Sequence, residues 1–229
     1  MPHLTPEHFD ALRRLDTCSL ANAIETFDVR LRNEGFTRGE VRCLAPRPEP
    51  MLGYAVTVRM KSSNPPTGAH DYGDRDDWWD YIQELPTPRV LVIEDIDEEP
   101  RDSALFGFSH VSIWKALGCI GAVTDGAIRD LPSILESGFH LYGSGLIPSH
   151  GYSHIVDVGE DVKVNGLEVS HGDLVHGDVH GVITIPFDIA AKVPEAAAKL
   201  KERDRGVIDF CNSADFTIEK LREYLKLHF

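Results

Sequence analysis

Two short apolar runs, separated by one helical segment, constrain the fold of this chain more than any other feature of its sequence. Residues 89–95 read RVLVIED and residues 119–124 read CIGAVT; such short runs, rich in β-branched side chains, are typical of buried strands. Between them, SALFGFSHVSIWKALG has apolar residues at helical spacing and ends at Gly118, which predicts a helix over residues 103–118. A strand, a helix and a strand in this order predict a parallel pair with a right-handed crossover. The expected fold class is therefore α/β.

The remaining segments predict a mixed sheet that begins after N-terminal helices. Residues 6–27 have helical spacing, with a second helix start near Cys18, and residues 71–85 form another helical pattern that stops before a proline. The alternating segment 54–60 follows a proline-rich loop and is predicted as a strand. From Phe139 onward, short β runs are separated by Gly, Asn and Asp turn residues, so this half of the chain is expected to be mostly β.

Length and composition predict one soluble domain. With 229 residues, 42% of them hydrophobic, the chain can bury one substantial core. We expect a single domain over residues 1–229, with its core at about 10–190 and a helical tail at about 189–229 that could pack on a neighbouring subunit. The formal charge of −14 would repel phosphate backbones, so nucleic-acid binding is not expected.

Cysteine usage and hydropathy point to the cytoplasm. No segment approaches the roughly 18 apolar residues of a membrane helix, so membrane insertion is not expected. The four cysteines are far apart and form no Cys-x-x-Cys pair. This spacing indicates neither a zinc ribbon nor a disulfide framework, and a reducing compartment fits it best.

The stretch GAVTDGAIRDLP, residues 121–132, is the strongest candidate for chemistry. Here an apolar strand ends in Asp125 and Gly126 and is followed by the adjacent pair Arg129 and Asp130; strand ends of open α/β sheets are where ligands bind. A guanidinium can hold a carboxylate or an enolate oxygen, and a neighbouring carboxylate can anchor a hydrated Mg²⁺. From the residues alone, the pair also fits a charge at a helix start and a solvated loop residue.

The surroundings of this pair carry a resemblance. The phrase G-x-V-x-D-G-x-x-R-D is preceded by A-L-F-G and a helix, and is followed by a G-F element and by a G-D-x-x-x-G-D-x-x-G-V element. The matching positions are Gly121, Val123, Asp125, Gly126, Arg129, Asp130, Gly138, Phe139, Gly145, Gly172, Asp173, Gly177, Asp178, Gly181 and Val182. Over roughly residues 10–190, this order resembles the divalent-metal-dependent class II pyruvate aldolases and decarboxylases related to the regulator of ribonuclease E activity A.

The resemblance implies an architecture, an activity and a cofactor. The fold would be a compact α/β domain with β/β/α layering, assembled as a homotrimer or hexamer with active sites between subunits. Such enzymes split 4-hydroxy-4-methyl-2-oxoglutarate to pyruvate and decarboxylate oxaloacetate with Mg²⁺ or Mn²⁺. The metal ion and an arginine stabilise a pyruvate enolate, and water held by the ion could take the substrate hydroxyl proton.

The same resemblance assigns residues to roles. Arg129 would contact the 2-oxo acid, and Asp130 would ligate the metal directly or through water. The loop formed by Gly107, Phe108, Ser109 and His110 would offer backbone N–H groups to the substrate carboxylate at a helix N-terminus.

Phe108 departs from the pattern of the aldolases. They usually have an acidic residue at this position, twenty-one residues before the arginine, and a phenyl ring cannot accept hydrogen bonds from the waters of a metal ion. His110 is a candidate replacement as a proton shuttle, since the ordinary pKa of histidine is about 6.5. The other interpretation of His110 is a polar residue in the first helical turn, facing solvent or a subunit contact.

Several other patterns favour ordinary structure over chemistry. His176, Asp178 and His180 have the spacing of a strand-borne metal site, yet Gly177 and Gly181 favour a β-turn. His150 and His154 are predicted in a loop that leads to a strand, which makes a zinc pair improbable. Cys119 is predicted as a core residue, and three tryptophans as packing residues: Trp78, Trp79 and Trp114. The carboxylates after the 89–95 strand are predicted to form a solvated face; they are Glu94, Asp95, Asp97, Glu98 and Glu99.

Three functions stay open at the level of sequence. The first is a metal-dependent lyase acting on a small 2-oxo acid, and the presence of the Arg129–Asp130 pair of the family motif favours it. The second is a noncatalytic binding or regulatory protein, because the family includes a protein inhibitor of ribonuclease E and Phe108 replaces an expected acid. The third is another reaction through an enolate, such as hydration or isomerisation of a sugar-acid derivative.

Overall fold

The structure is a computed structural model that describes residues 4–67, 76–98 and 101–228. Its helices are α1 (Pro6–Arg13), α2 (Thr17–Glu25), α3 (Asp76–Gln83), α4 (Phe108–Ala116), α5 (Leu131–Ser137), α6 (Phe187–Ala190), α7 (Val193–Cys211) and α8 (Ile218–His228). Its strands are β1 (Arg42–Cys43), β2 (Met51–Lys61), β3 (Arg89–Asp95), β4 (Ala104–Phe106), β5 (Cys119–Thr124), β6 (Ala127–Ile128), β7 (His140–Gly143), β8 (Gly145–Leu146), β9 (His154–Val158), β10 (Val162–Val164), β11 (Leu167–Val169), β12 (Leu174–Asp178) and β13 (Gly181–Ile185).

An eight-stranded mixed sheet forms the centre of the molecule. Its order is β1-β7-β5-β3-β2-β12-β13, and β9 pairs with β2 beside this path. The four strands β7, β5, β3 and β2 run parallel, whereas β12, β13, β9 and β1 pair antiparallel. The predicted α/β class, the parallel pair β3–β5 and the mixed sheet are therefore confirmed.

Alternate residues of β3 show how the layers arise. Leu91 and Ile93 face a core cluster that includes Trp78 of α3 and Trp114 of α4. Val90 and Val92 face the opposite side, where the hairpin of β10 and β11 covers the sheet with valine and leucine side chains. Both faces of this strand are apolar because both are covered, as expected for a parallel strand inside a sheet. The resulting hairpin, sheet and helix layers confirm the expected β/β/α arrangement.

The predicted helix over residues 103–118 is wrong in its first part. Ala104 to Phe106 form β4, whose three residues are all completely buried, and the helix begins only at Phe108, after Gly107. Strand β4 pairs in parallel with β6, and β6 pairs in parallel with β8, so a second, three-stranded sheet lies beside the first. In a run that is buried on all sides, the apolar residues have no periodicity that distinguishes a helix from a strand. Pairing with β6 makes residues 104–106 a strand.

The helical segments predicted in the N-terminal and C-terminal parts of the sequence are confirmed. Asp16 begins α2 by accepting the Ser19 backbone N–H at 2.7 Å, so the N-terminal region divides into α1 and α2. Helices α2 and α7 pack together over a cluster that includes Leu20, Ile24 and Val193. Helix α3 confirms the later part of the helix predicted at 71–85, whose first five residues lie outside the described residues. In the part of the chain that the structure describes, no helix has the length and apolarity needed to cross a membrane.

Candidate functional site

The Arg129–Asp130 pair directly follows strand β6, where that strand leaves the three-stranded sheet. The backbone N–H of Arg129 donates to the carbonyl of Phe106 at 3.1 Å, and the N–H of Ile147 donates to the carbonyl of Ile128 at 3.0 Å. These two bonds continue the pairing of β6 on both sides. The pair is therefore fixed between the β4–α4 connection and the segment that follows β8.

Asp130 adopts a left-handed backbone conformation. Its φ is 63°, and it precedes α5 as the N-cap residue. Such a conformation is uncommon for a residue with a side chain, although aspartate tolerates it better than most. Its Oδ2 accepts the backbone N–H of Phe108 at 3.0 Å and lies 3.5 Å from Nε of Arg129. Its Oδ1 accepts no hydrogen bond from the residues described here, so one oxygen is available to a ligand.

Arg129 is held loosely and remains accessible. Besides Asp130, its guanidinium reaches the carbonyl of Pro148, with an Nη1–O distance of 3.5 Å. The side chain is 35% exposed, and that of Asp130 is 39% exposed. An ion pair this exposed contributes little to stability. The arrangement instead leaves guanidinium N–H donors for an anionic ligand.

Gly107 allows the β4–α4 connection to approach the pair closely. A Cβ atom on Gly107 would overlap Asp130 Oδ2 and would lie 2.9 Å from Arg129 Cγ. Gly107 is the N-cap of α4, so Phe108, Ser109 and His110 form the first helical turn, as the resemblance implied. The N–H of Phe108 donates to Asp130 Oδ2 at 3.0 Å, and the N–H of Val111 makes the first helical bond, to the Gly107 carbonyl at 3.2 Å.

The ring of His110 is part of the helix cap. Its Nδ1 accepts the backbone N–H of Gly107 at 3.4 Å, and its ring lies 5.9 Å from that of Trp114. Burial lowers the pKa of His110 to about 4, and the positive charges of His150 and Arg129 act in the same direction. The ring is therefore neutral at pH 7, with its proton on Nε2. Its role in proton transfer stays a prediction.

The position of His150 near His110 was not predicted from the sequence. The sequence suggested only a comparison with His154, and the structure places the two apart, with His150 in a loop and His154 at the start of β9. His150 instead lies near enough to His110 to influence its pKa. Nothing local in the sequence signals this proximity, because forty residues separate the two histidines.

The predicted solvated face after β3 is wrong for two of its carboxylates. Asp95 and Asp97 are only 4% and 8% exposed. Asp97 Oδ2 accepts the backbone N–H groups of Ser62 at 2.6 Å and Ser63 at 3.0 Å, and the two oxygens of Asp95 accept N–H groups of the loop that follows. Carboxylates can be buried when backbone donors satisfy them. Glu98 is exposed as expected, and Glu99 lies outside the described residues.

Asp125, at the end of β5, accepts the backbone N–H of Asp95 at 2.9 Å. Burial raises the pKa of Asp125 to about 6, above its value of about 3.9 in an unfolded chain. The folded protein therefore binds this proton more tightly, and the contribution of Asp125 to stability falls as the pH rises from about 4 to about 6.

We expect Asp125→Asn to stabilise the protein at pH 7.5 by about 2 kcal/mol, and the difference from wild type to shrink towards zero near pH 4. The amide oxygen of asparagine can still accept the Asp95 N–H. Urea unfolding at both pH values measures the effect. Asp215→Asn, at an 86% exposed position, is the control and should change stability by less than about 0.5 kcal/mol at either pH. A destabilised Asp125→Asn at pH 7.5 would contradict the prediction.

The other predicted structural residues lie where the sequence placed them. Cys119 is buried, as are Trp78 and Trp114, and Trp79 is half-buried against the same core. His176 is fully buried within β12, whereas His180 is 55% exposed in the β12–β13 turn and bonds Asp178 through Nδ1 at 3.0 Å. The predicted turn is confirmed, and these three residues do not converge on a metal position.

The donor set at Asp130 suits a hydrated divalent ion. Among the described residues, no group of three His, Cys, Asp or Glu side chains could hold a metal ion. Mg²⁺ is commonly held by one or two carboxylates and keeps several waters. Asp130 Oδ1, on an exposed side chain without another partner among the described residues, provides such a carboxylate oxygen.

Two relatives in sequence are informative. An uncharacterized protein of Methanocaldococcus jannaschii is 28% identical over 162 residues, which are 69% of this chain and 71% of that protein. A protein of Halalkalibacterium halodurans, named a putative 4-hydroxy-4-methyl-2-oxoglutarate aldolase, is 28% identical over 137 residues. That match covers 58% of this chain and 64% of the relative, so it spans slightly less than two thirds of that protein.

Solved structures and a family model complete the comparison. An uncharacterized protein of Pseudomonas syringae superposes with a TM-score of 0.73 at 22% identity, covering 96% of this chain and 94% of that one. RraAS2 of Streptomyces coelicolor, described as an unusual member of the RNase ES inhibitor RraA family, superposes with a TM-score of 0.69 at 20% identity, covering 90% and 97%. The family model described as RraA-like, Aldolase/RraA, matches residues 17–184. The chain therefore belongs to the RraA-like family.

Proposed function

We propose that this protein is a carbon–carbon lyase that releases pyruvate from a small 2-oxo acid, by retro-aldol cleavage or by decarboxylation. The observation that carries the proposal is the arrangement of Arg129 and Asp130. The two side chains lie 3.5 Å apart and both are accessible. The backbone of Asp130 is left-handed, and its carboxylate accepts an N–H at the N-terminus of α4. Uncommon backbone conformations of this kind often occur at functional sites.

Arg129 binds the carboxylate or the 2-oxo oxygen of the substrate in this proposal. Its weak bond to the Pro148 carbonyl, at 3.5 Å, is easily exchanged for a charge-assisted bond to a carboxylate. When the carbon–carbon bond breaks, negative charge moves to the 2-oxo oxygen. In this proposal the guanidinium stabilises the enolate more than it stabilises the substrate, which is the requirement for catalysis.

Asp130 would hold Mg²⁺ or Mn²⁺ through Oδ1, and the bound ion would supply positive charge beside the 2-oxo group. The backbone N–H of Phe108 fixes Oδ2, so the carboxylate keeps one orientation without help from a second acid. Phe108 is 36% exposed and directly follows Gly107. In this proposal its phenyl ring gives the site an apolar border where a carboxylate would otherwise order water.

The sequence relative named as a putative aldolase supports this choice of reaction, as does the aldolase component of the matched family. Assembly as a homotrimer or hexamer forms part of the same proposal. It would place the exposed rim residues next to a neighbouring subunit.

The experiment that tests the proposal measures pyruvate release from 4-hydroxy-4-methyl-2-oxoglutarate and from oxaloacetate. Each reaction is run with Mg²⁺, with Mn²⁺ and with EDTA. We expect turnover with either ion and a fall to the uncatalysed rate with EDTA, because the charge beside the developing enolate is removed. Thermal unfolding with and without EDTA controls for loss of the fold. Rates equal to background under all conditions would exclude the lyase.

A second candidate, a regulatory protein that binds an RNase E-type enzyme, is favoured by one observation. Three apolar side chains are exposed on segments that flank Arg129 and Asp130: Phe108, Leu146 and Tyr152. The solved Streptomyces protein is described as belonging to an RNase ES inhibitor family. Background rates together with inhibition of ribonuclease E in a cleavage assay would favour this function. Turnover of a sugar-acid derivative instead of either substrate would indicate a different enolate reaction.

A further inference from the structure

Two histidines, His110 and His150, have opposite hydrogen-bonding patterns. Nδ1 of His150 lies 3.0 Å from the carbonyl oxygen of Gly151. A carbonyl can only accept, so Nδ1 of His150 carries the hydrogen, and the neutral ring has its lone pair on Nε2. Nδ1 of His110 faces a backbone N–H, which can only donate, so the neutral ring carries its hydrogen on Nε2. Of the two rings, only His150 presents a basic Nε2.

The loop that carries His150 is anchored on both sides. The carbonyl of Ser149 accepts the N–H of Ala104 at 2.8 Å, and the N–H of Tyr152 donates to the carbonyl of Ser62 at 2.9 Å. Gly151 has a φ of 50°, and a Cβ there would lie 2.7 Å from the Ser62 carbonyl. A side chain at position 151 would thus displace the loop. His150 is therefore presented from a fixed backbone.

The segment that carries His150 borders the candidate site, because Ser149 accepts the N–H of Ala104, three residues before Gly107. The preceding Pro148 carbonyl bonds Arg129 at 3.5 Å, and the charge of His150 contributes to the lowered pKa of His110. Among the described residues, the exposed His150 ring hydrogen-bonds only to the carbonyl of its neighbour Gly151, and an exposed local contact of this kind contributes little to stability. The position is therefore better explained by contact with a ligand than by support of the fold.

We propose that His150 is the catalytic base for the retro-aldol reaction of this site, an inference that rests on the proposed function. Nε2 of His150 takes the proton of the C4 hydroxyl, the C3–C4 bond breaks, and its electron pair forms the enolate of pyruvate. The C4 oxygen becomes a carbonyl. The resulting imidazolium returns the same proton to C3 of the enolate, so the step needs no further reactant.

Oxaloacetate separates this role from a role in binding. Its decarboxylation breaks a carbon–carbon bond and forms the same enolate, yet no hydroxyl proton has to be removed. Loss of a base should therefore affect only the aldol substrate. Loss of a binding residue should affect both substrates.

The kinetic test compares His150→Gln with wild type on both substrates. We expect kcat for cleavage of 4-hydroxy-4-methyl-2-oxoglutarate to fall by about 10²-fold or more, with KM changed less than about threefold and oxaloacetate decarboxylation nearly unchanged. Imidazole should restore part of the aldol activity of His150→Ala. His180→Gln, which alters an exposed histidine in the β12–β13 turn, should behave as wild type. Equal losses on both substrates, or no loss on either, would overturn the assignment.

A second measurement does not depend on turnover. In ¹⁵N-labelled protein, long-range ¹H–¹⁵N spectra distinguish ring nitrogens that carry hydrogen from those that do not, and His150→Gln identifies the relevant signals. We expect His150 in the Nδ1–H form, with its Nε2 signal shifted when oxalate is added as an enolate analogue. The Nε2–H form, or no response to oxalate, would refute the inference. If wild type lacks turnover, the proposed function fails, and the oxalate titration alone decides whether His150 belongs to a ligand site.

Discussion

Replacing Asp130 with asparagine is expected to lower kcat for pyruvate release by about 10²–10³-fold, the size of effect seen when one stabilising charge or donor is removed from an active site. Asparagine also tolerates the left-handed conformation that Asp130 adopts at φ 63°. Its side-chain oxygen can still accept the Phe108 N–H. The substitution therefore removes the charge and the metal ligand while the backbone is retained. Steady-state kinetics with saturating Mg²⁺ measures the loss, and Mn²⁺ titration monitored by EPR measures metal affinity.

Asp28 provides a matched control for this substitution. It is a second aspartate with a left-handed backbone, at φ 51°, and it is exposed in the segment after α2. Asp28→Asn repeats the same chemical change at the same kind of backbone position. It should leave kcat and Mn²⁺ affinity unchanged. Wild-type rates for Asp130→Asn would exclude Asp130 as the metal ligand of a lyase, whatever the control shows.

The central strands could be predicted because each is a run of consecutive apolar residues, which indicates burial on both faces. In β3, valine, leucine and isoleucine occupy both faces, and no polar residue interrupts the run before Glu94. Strand β4 could not be predicted in the same way. Its three residues are followed by a helical pattern, and they become a strand only by pairing with Ala127 and Ile128, more than twenty residues later. Local patterns do not contain such pairing.

In the candidate site, too, the residues could be predicted from the sequence, whereas their contacts with distant segments could not. The resemblance named Arg129 and Asp130, and the structure brings them together with Gly107. The resemblance could not show that the backbone of Asp130 is left-handed or that the Phe108 N–H donates to one of its carboxylate oxygens. The burial of Asp97 was missed for a related reason, because its N–H donors lie on Ser62 and Ser63 of a distant segment. A run of carboxylates resembles a solvated face until those donors are known.

Gly107→Ala is expected to lower kcat/KM by about 10²-fold with little change in stability. The backbone of Gly107 is extended, with φ −142° and ψ −163°, so alanine adopts it without strain and loses less conformational entropy on folding. The added methyl group, however, would occupy the space of Asp130 Oδ2 and press on Arg129 Cγ at 2.9 Å. Both side chains must move, and a displacement of about 1 Å in a catalytic group can cost about 10²-fold in rate.

Gly145→Ala is the matched control, because Gly145 lies in the three-stranded sheet whose strand β4 ends just before Gly107, and a Cβ at Gly145 meets no atom within 4 Å. It should keep kcat/KM within about twofold of wild type, because nothing has to move. Kinetics and thermal unfolding of both variants separate displacement of the pair from damage to the sheet. If Gly107→Ala loses activity while its unfolding temperature stays near that of Gly145→Ala, the close approach at Gly107 serves the site. Wild-type activity in Gly107→Ala would show that the reaction does not require Arg129 and Asp130 in their observed positions.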